Sequence, residues 1–478
     1  MATEDSFIVA IELGSSKVTG IAGRKQPDGA IQVLATVQEP SASFIRKGRI
    51  NNIVKMKTCI QKVKDTLEKS LKKSISHAYI GIGGMGMHTV TNTVLKTFAD
   101  KTIVTEGIVD EIKDENQQTQ TSEREILQAV IQEYKLGTQS QLEPIGIPTE
   151  SIEGHFLNIV TKKEVKENID KCINPEENGL EIAGLPITVL ALADEMIPEP
   201  ERQSGCVFVD MGSETTSVAI YKNNMLRHLA VIPLGGRNIT ADITSLSIEL
   251  SEAERLKLKY GRAIYEYDEP QEPIPMEGGR TIAFSEFAGL IEAREEEIIK
   301  NVKRQIELSK LDKNQLIGGI IITGGAANMK DIEKAFTKHT GFEKIQIAQN
   351  IPTQIRSAIN MQSFNHDGSY NAALAILEKG DVNCCGGSLE DGADDMFKKK
   401  AAEEAERKAK EEAERIAREK EEAEKAAAEE AERKAQEEAE RIAREKREKR
   451  RGWIKNFVNK IKNAAEDIVS EDTEKKDE

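Results

Sequence analysis

The sequence has few cysteines, few prolines, few aromatic residues and no long hydrophobic run. No segment approaches the roughly 20 consecutive apolar residues of a membrane-spanning helix, so any membrane contact must be made at the surface. The acidic start, Met-Ala-Thr-Glu-Asp, lacks the basic and apolar parts of a signal peptide. The five cysteines form no CxxC or Cys/His spacing, which indicates reduced thiols in a cytosolic protein. We expect the adjacent pair Cys384–Cys385 to lie in a flexible linker.

An excess of positive charge is also absent. The chain carries 82 Asp and Glu residues against 67 Lys and Arg, a net charge of −15. A body of this sign repels nucleic acid and anionic lipid, so we expect no nucleic-acid partner, and lipid binding requires a local basic patch. A length of 478 residues predicts more than one domain.

Hydrophobic periodicity predicts an α/β body that ends near residue 379. Strands are predicted at 6–14, 17–24, 31–37, 77–83, 186–193, 206–210, 215–221, 225–232 and 316–323, and helices at 52–73, 164–178, 251–260 and 285–310. Between them, the segment 87–163 alternates short strands with one helix, which is typical of a small α/β insert.

Three glycine-containing turns follow predicted strands. They are Glu12-Leu13-Gly14-Ser15-Ser16-Lys17, Asp210-Met211-Gly212-Ser213-Glu214-Thr215-Thr216 and Ile322-Thr323-Gly324-Gly325-Ala326-Ala327. Small residues in a hairpin turn let backbone N–H groups converge on an anion, and hydroxyls and a lysine add donors. Glu12 and Asp210, which precede the first two turns, are suited to a hydrated divalent ion beside phosphates. One such turn alone is typical of ordinary hairpins, whereas three in this order predict a phosphate-binding cleft between two halves.

The order of these turns resembles the superfamily of actin, sugar kinases and heat-shock chaperones, in which ATP lies between two related halves. Within it, the chain resembles the FtsA family of bacterial cell-division proteins over residues 6–379 and again over 451–465. Supporting segments are Ile131-Gln132-Glu133-Tyr134 with Pro144-Ile145-Gly146, Leu226-Arg227-His228 with Ile232-Pro233-Leu234-Gly235-Gly236, Thr240-Ala241-Asp242, and Glu252-Ala253-Glu254-Arg255-Leu256-Lys257.

The resemblance implies an actin-like (ribonuclease H-like) two-domain ATPase fold. Its first half would comprise 1–86 and 164–204, the FtsA-type insert 87–163, and the second half 205–379. A linker at 380–397, a charged helical spacer at 398–450, a membrane-binding helix at 451–469 and an acidic tail at 470–478 would follow.

The resemblance also assigns roles in binding ATP and Mg²⁺. The residues implied to contact phosphates are Gly14, Ser15, Ser16 and Lys17 in the first half, and Gly212, Ser213, Glu214 and Thr215 in the second. Asp210 would hold Mg²⁺ through water. Those implied around the nucleoside are Gly235, Gly236, Glu254, Lys257, Gly324, Gly325 and Ala326.

The second turn departs from the family pattern. That pattern is Asp-x-Gly-Gly-Gly-Thr with a later aspartate, whereas this chain has Ser213, Glu214 and, at the later place, Ser217. Glu214 is expected to bring negative charge next to the polyphosphate, so we expect ATP binding with weak or no hydrolysis. Asp194 and Glu195 are the candidates for positioning an attacking water; the alternative is that both are surface carboxylates.

Residues 398–450 consist almost entirely of Ala, Glu, Lys and Arg and contain a repeat, 401–420 returning at 427–446. All are strong helix formers, with many Glu-to-Lys or Glu-to-Arg pairs four residues apart. Because the possible seam positions are nearly all alanine, a solvated single helix about 80 Å long is favoured over a coiled coil.

Residues 451–469 have helical amphipathic spacing. The apolar face carries Trp453, Ile454, Phe457, Val458 and Ile461, and the polar face includes Lys455 and Lys460. A tryptophan at the start of such a helix suits the lipid headgroup region, and the basic segment 441–451 favours an anionic leaflet. Docking of this helix on the protein's own body or on another tail is the alternative.

Three functions remain open at this point. The resemblance implies a division protein that polymerises head to tail, anchors FtsZ filaments through the FtsZ C-terminal peptide, lies on the cytoplasmic face of the membrane at the septum, and recruits later division proteins through the insert. A small-molecule kinase of the same superfamily is the second hypothesis, although it needs a catalytic aspartate where Ser217 stands. An actin-like pilus-assembly protein is the third.

The amphipathic helix generates a first prediction. Deleting 451–478 should abolish co-sedimentation with anionic vesicles, because the chain would lose both the tryptophan-led apolar face and its adjoining lysines. Deleting only 470–478 should leave co-sedimentation unchanged. Full co-sedimentation of the longer deletion would contradict the assignment of a membrane anchor.

Overall fold

The computed structural model describes residues 6–119, 123–265, 272–357 and 368–388. These residues belong to a compact unit that spans Met1–Leu389, and a second unit spans Glu390–Glu478. The predicted spacer 398–450, the amphipathic helix 451–469 with Trp453 and Phe457, and the acidic tail 470–478 all lie outside the described residues and stay predictions.

The described residues form strands and helices with the following bounds. The strands are β1 (Ile8–Leu13), β2 (Lys17–Lys25), β3 (Ile31–Pro40), β4 (Ile45–Arg46), β5 (Arg49–Ile50), β6 (Lys73–Ile75), β7 (His77–Gly81), β8 (His88–Ile103), β9 (Arg124–Leu136), β10 (Gln139–Gln141), β11 (Pro148–Lys162), β12 (Glu181–Gly184), β13 (Cys206–Met211), β14 (Thr216–Lys222), β15 (Met225–Ile232), β16 (Ile274–Pro275), β17 (Thr281–Ile282), β18 (Gly319–Thr323), β19 (Ile345–Ile347), β20 (Ile355–Ser357) and β21 (Cys385–Ser388). The helices are α1 (Ile53–Leu71), α2 (Glu106–Gln118), α3 (Lys163–Cys172), α4 (Pro175–Asn178), α5 (Thr188–Met196), α6 (Glu199–Ser204), α7 (Gly236–Ile243), α8 (Leu250–Tyr260), α9 (Phe284–Leu308), α10 (Ile332–Thr340) and α11 (Asn371–Glu378).

Two sheets repeat the same strand order. The first contains β3-β2-β1-β7-β12 and the second β15-β14-β13-β18-β19. In each sheet the first three strands form antiparallel hairpins and the last two join in parallel. The parallel connections run through helices, as parallel pairing requires. The chain therefore contains two halves of one topology, each opening with a β-hairpin.

One of the apolar cores contains side chains from both halves. Phe208 of β13 and Tyr221 of β14 belong to the same buried cluster as Ile11 of β1 and Leu192 of α5. Each fully buried side chain of this size contributes roughly 1.5–3 kcal/mol to folding. The halves are therefore joined by continuous packing as well as by the chain.

The insert adds strands to the second sheet rather than standing apart. Its strands β8, β9 and β11 are longer than the short strands predicted, and they pack with α2 around a small core of their own. Ala230 of β15 pairs with His88 of β8, so these strands continue the sheet of the second half. The hydroxyl of Thr89 strengthens the junction by accepting a hydrogen bond from the backbone N–H of Leu229 at 3.0 Å.

The strand predicted at 186–193 is wrong. Residues Thr188–Met196 form helix α5, which buries Val189, Leu192 and Met196. A short apolar run is compatible with either a buried strand or a buried helix. Packing of α5 against α11 and β14 stabilises the helix.

The predicted end of the second half at 379 is also wrong. β20 pairs in parallel with β3, through Ile355 and Ile31, and so joins the first sheet. α11 buries Leu374 and Ile376 in the core of the first half. The chain thus returns to the first half before it leaves the body.

The linker predicted from 380 begins later than expected. Cys384 and Cys385 are both buried, and Cys385 pairs with Ile75 of β6. The backbone N–H of Cys384 donates to the carbonyl of Phe7 at 2.7 Å, and the Tyr79 hydroxyl donates to Asp381 at 2.6 Å. Burial raises the pKa of the Cys384 thiol to about 11, so this thiol is protonated and unreactive at neutral pH.

Glu295 of α9 generates a prediction about stability. It is 0% exposed, and within the described residues neither carboxylate oxygen has a hydrogen-bond partner. Burial raises its pKa to about 8, although Lys257 opposes the shift. Because the unfolded chain releases this proton near the ordinary value of 4.5, the free energy of unfolding should fall as the pH rises from 4.5 through 8.

Replacing Glu295 by methionine should therefore raise the free energy of unfolding by about 1–3 kcal/mol at pH 9, and by less at pH 5.5. Urea unfolding at the two pH values measures the difference. The matched control is Glu297→Met on the exposed face of the same helix, which should change stability by less than about 0.5 kcal/mol. An equal increase in the free energy of unfolding at both pH values would contradict the prediction, because ionisation of Glu295 would then not lower stability.

Candidate functional site

The first hairpin turn lies between β1 and β2, where Leu13 pairs with Val18. The carbonyl of Gly14 accepts a hydrogen bond from the hydroxyl of Ser41 at 2.5 Å. The hydroxyl of Ser15 accepts one from the backbone N–H of Gly48 at 2.8 Å. A Cβ on Gly14 would lie 2.6 Å from the carbonyl oxygen of Lys17, so only glycine closes this turn.

The second hairpin turn lies at the equivalent place between β13 and β14. The backbone N–H of Gly212 donates to the carbonyl of Thr215 at 2.8 Å, and the start of α7 packs on the turn. There the N–H of Gly236 donates to the carbonyl of Gly212 at 3.0 Å. A Cβ on Gly235 would lie 2.5 Å from the same carbonyl oxygen, which explains the first of the two glycines.

The third turn follows β18 and lies against the second. Gly324 has φ of 94° and ψ of 166°, a backbone conformation that only glycine readily adopts. A Cβ there would lie 2.5 Å from the carbonyl oxygen of Met211. Gly325 begins a 3₁₀ turn and has open space around it.

All three turns line one cavity of about 1520 Å³ between the halves. The predicted residues that line it are Gly14, Ser15, Ser16, Lys17, Asp210, Gly212, Ser213, Thr215, Gly236, Glu254, Lys257, Gly324, Gly325 and Ala326. Gly235 does not line the cavity and acts only through its close approach to Gly212.

Two carboxylates face this cavity from equivalent positions. Glu12 pairs with Thr19 and Gly81 in the first sheet, and Asp210 pairs with Ser217 and Thr323 in the second. Burial, with the nearby charge of Asp210, raises the pKa of Glu12 to about 8 against the opposing effect of Lys17. Burial raises the pKa of Asp210 to about 6.

A polar cluster joins α8 to the start of α7. The amine of Lys257 is nearly buried and donates to the carbonyl of Gly236 at 3.0 Å, the hydroxyl of Thr240 at 2.9 Å and the carboxylate of Glu254 at 2.8 Å. Thr240 also donates to Glu254. Lys257 thus ties α8 to the start of α7, which packs on the second hairpin turn.

Glu214, expected beside the polyphosphate, does not line the large cavity. Its carboxylate points to a separate, smaller cavity of about 470 Å³. There it accepts hydrogen bonds from Arg46 Nη1 at 3.0 Å and from the backbone N–H of Lys47 at 2.6 Å. Arg237 Nε lies 3.4 Å away. These donors balance the negative charge of Glu214.

Asp194 and Glu195 are not placed to position a water in the cleft. Neither lines the large cavity. The carboxylate of Asp194 accepts from Arg202 at 2.8 Å and from Lys379 at 2.6 Å, and that of Glu195 accepts from Thr353 at 2.9 Å. Both residues lie on α5, whose start rather than its end faces the cleft. The alternative interpretation, surface carboxylates in ion pairs and hydrogen bonds, fits their positions.

Further glycines and two polar residues line the cavity that the sequence motifs did not indicate. Gly81, Gly83 and Gly84 line the cavity at the end of β7, where Gly81 holds the place that Thr323 holds at the end of β18. Their glycine-rich sequence was a usable signal, but only the duplicated topology shows that it matches the third turn. Thr188 and Arg237 also line the cavity.

The described residues contain neither a cluster of metal-binding side chains nor a membrane-spanning helix. Within these ranges there is no group of three or more His, Cys, Asp or Glu residues arranged to hold a metal ion. No helix within them is long and apolar enough to cross a membrane.

Comparison with known proteins supports this architecture. The model of the family described as "Cell division protein FtsA" matches residues 207–375. FtsA of Porphyromonas gingivalis is 28% identical over 349 residues, which cover 71% of this chain and 72% of that protein. FtsA of Escherichia coli is 26% identical over 405 residues, which cover 81% of this chain and 94% of that protein.

One solved structure shares the fold. The chain matches the structure titled "PilM-PilN type IV pilus biogenesis complex" with a TM-score of 0.54 and 12% identity, over 79% of this chain and 98% of that chain. With the duplicated sheets and the cleft between them, this likeness defines an actin-like protein of two related halves.

The matches along the sequence point to one family within this class. The chain is similar to the FtsA family of cell-division proteins.

The third turn generates a prediction. Gly324→Ala should lower the free energy of unfolding by about 2 kcal/mol or more, because the backbone conformation is strained for alanine and the new Cβ meets the carbonyl of Met211. Gly325→Ala is the matched control and should cost less than about 0.5 kcal/mol, since its Cβ meets open space. Urea unfolding of both variants measures this; equal effects would contradict the assigned close approach.

Proposed function

We propose that this chain binds ATP with Mg²⁺ in the cleft, polymerises head to tail, and anchors FtsZ filaments to the cytoplasmic face of the cell membrane at the division septum. The observation that carries the proposal is the pair of equivalent hairpin turns that face one cavity. Similarity to the FtsA family supports the division role.

The geometry of the turns supports binding of a polyphosphate. Ser15 and Lys17 lie on one side of the cavity and Ser213 and Thr215 on the other, so donors from both halves can converge on one anion. The third turn and the Glu254–Lys257 pair line the remaining part, where a nucleoside would fit. A ligand that touches both halves would hold the cleft closed.

The paired carboxylates support a divalent cation. Glu12 and Asp210 lie close enough for the charge of one to raise the pKa of the other, and a cation beside them would relieve that repulsion. Asp210 would hold Mg²⁺ through water, as the resemblance implies, with Glu12 beside it. The ion would supply positive charge that neutralises the phosphates.

We propose weak or no ATP hydrolysis. The two carboxylates considered for positioning water, Asp194 and Glu195, are engaged outside the cavity. ATP would then act mainly as a ligand that stabilises the closed, polymerising form.

The remaining partners are those that the similarity to FtsA suggests. The second half would bind the C-terminal peptide of FtsZ, the insert 87–163 would recruit later division proteins, and the helix 451–469 would bind anionic lipid. The charged spacer 398–450 would keep the actin-like body away from the membrane.

The proposal is tested by pelleting the full chain with FtsZ and anionic vesicles, with and without ATP and Mg²⁺. FtsZ should pellet with vesicles only when the chain is present. Lys17→Ala should weaken ATP binding, measured by calorimetry, by about tenfold, because it removes a charged donor from the first turn. The matched control is Lys25→Ala at the other end of β2, where the lysine pairs with Glu378 and lies outside the cavity.

Two results would contradict the proposal. If the wild-type chain binds no ATP, or if FtsZ stays in the supernatant, the assigned role fails. Release of a phosphorylated sugar from ATP would favour a superfamily kinase instead.

A further inference from the structure

The turn between β4 and β5, residues Arg46–Gly48, connects the two phosphate hairpins. It belongs to the first half, where the N–H of Gly48 donates to the Ser15 hydroxyl at 2.8 Å. On its other side it meets Glu214 of the second half, whose carboxylate accepts from Arg46 Nη1 at 3.0 Å and from the N–H of Lys47 at 2.6 Å. We call this set of contacts the clasp.

The Arg46–Gly48 turn is held in one backbone conformation by its own φ angles and by its neighbours. Lys47 and Gly48 both have positive φ, 50° and 71°, so the backbone is committed to one tight shape. Gly48 packs directly on Gly84, where a Cβ would lie 2.4 Å from the Gly48 carbonyl oxygen. The N–H of Met85 donates to the carbonyl of Lys47 at 2.8 Å. A displacement of the Glu214 carboxylate would therefore move the Arg46–Gly48 turn and, with it, the hydrogen bond to the Ser15 hydroxyl.

The charges of the clasp are complementary, and the carboxylate among them is withdrawn from water. Glu214 is only 6% exposed, and Arg237 on α7 lies on its other side at 3.4 Å. Hydrogen bonds from a guanidinium and a backbone N–H to a buried carboxylate are stronger than neutral ones. A glycine at position 214 would have no side chain to make them.

We propose that Glu214 is a positioning residue, which clasps the second phosphate hairpin to the Arg46–Gly48 turn, thereby orients the Ser15 hydroxyl, and slows release of the bound nucleotide. This inference rests on the proposed binding of ATP in the cleft. Every contact in the clasp is between protein groups, so its formation can be measured without nucleotide. It closes the phosphate side of the cleft by protein contact alone.

The test uses the full chain and two measurements. The first is amide hydrogen exchange at Lys47 and Gly48 in the nucleotide-free protein, and the second is the rate at which a fluorescent N-methylanthraniloyl ATP dissociates in the presence of Mg²⁺. Glu214→Gln should speed both by about tenfold, the effect of losing one charge-assisted hydrogen bond. Arg46→Ala should do the same, and because the Arg46 side chain is half exposed this variant should fold. The double variant should be no faster than either single one.

Glu68→Gln is the matched control. The side chain of Glu68 is as buried as that of Glu214. Its carboxylate also accepts a hydrogen bond from a backbone N–H, that of Ile75 at 2.7 Å, and faces a lysine. Unlike Glu214, it lies outside both cavities. It should leave both rates unchanged even if it lowers the melting temperature. A merely structural role of Glu214 would make the two variants alike.

The outcomes separate the clasp from the proposed function. Unchanged exchange at Lys47 in Glu214→Gln would overturn the clasp, whether or not nucleotide binds. Faster exchange with an unchanged dissociation rate would overturn the positioning role. If the wild-type chain binds no nucleotide, the ATP-binding proposal fails and the positioning role with it, while the exchange measurement still decides whether Glu214 holds the turn.

Discussion

The two halves of this protein are joined by an apolar core that contains side chains from both. Phe208 and Tyr221 of the second half belong to the same buried cluster as Ile11 and Leu192 of the first, while Val207 and Val209 pack in a separate cluster of the second half. This shared core sets the distance between the two hairpin turns, and hence the width of the cavity they line. The site depends on this packing, because each turn alone is a common hairpin.

The cleft that results is electrostatically unfavourable when it holds neither a cation nor a proton. Glu12 and Asp210 occupy equivalent positions in the two sheets, and burial raises the pKa of both carboxyls, to about 8 and about 6. The charge of Asp210 therefore opposes ionisation of Glu12. On the far side of the second hairpin, Arg46 forms an ion pair with Glu214. The negative charge of Glu214 therefore adds little to the repulsion between Glu12 and Asp210.

Much of the fold and site could be predicted from the sequence because the signals are local. The hairpins at Gly14 and Gly212 lie between short strands whose partners are next in the chain, and helix α9 shows the expected helical spacing. The strand predicted in place of α5 failed for the opposite reason, since its apolar run has no clear period. The role of Gly81 after β7 was missed because its equivalence to Thr323 appears only when the two sheets are compared.

The sequence by itself determined the strands, the three turns and the chemistry of the residues in them, because φ/ψ preferences and hydrophobic periodicity act over a few residues. It also showed the resemblance to one family, through the order of those turns. The tertiary structure alone decided which way each side chain in a turn faces. Glu214 and Lys47 are 167 residues apart, and their hydrogen bond depends on how two halves pack rather than on any local pattern. The return of β20 and α11 to the first half has the same origin, since Ile355 and Ile31 meet only across the finished sheet.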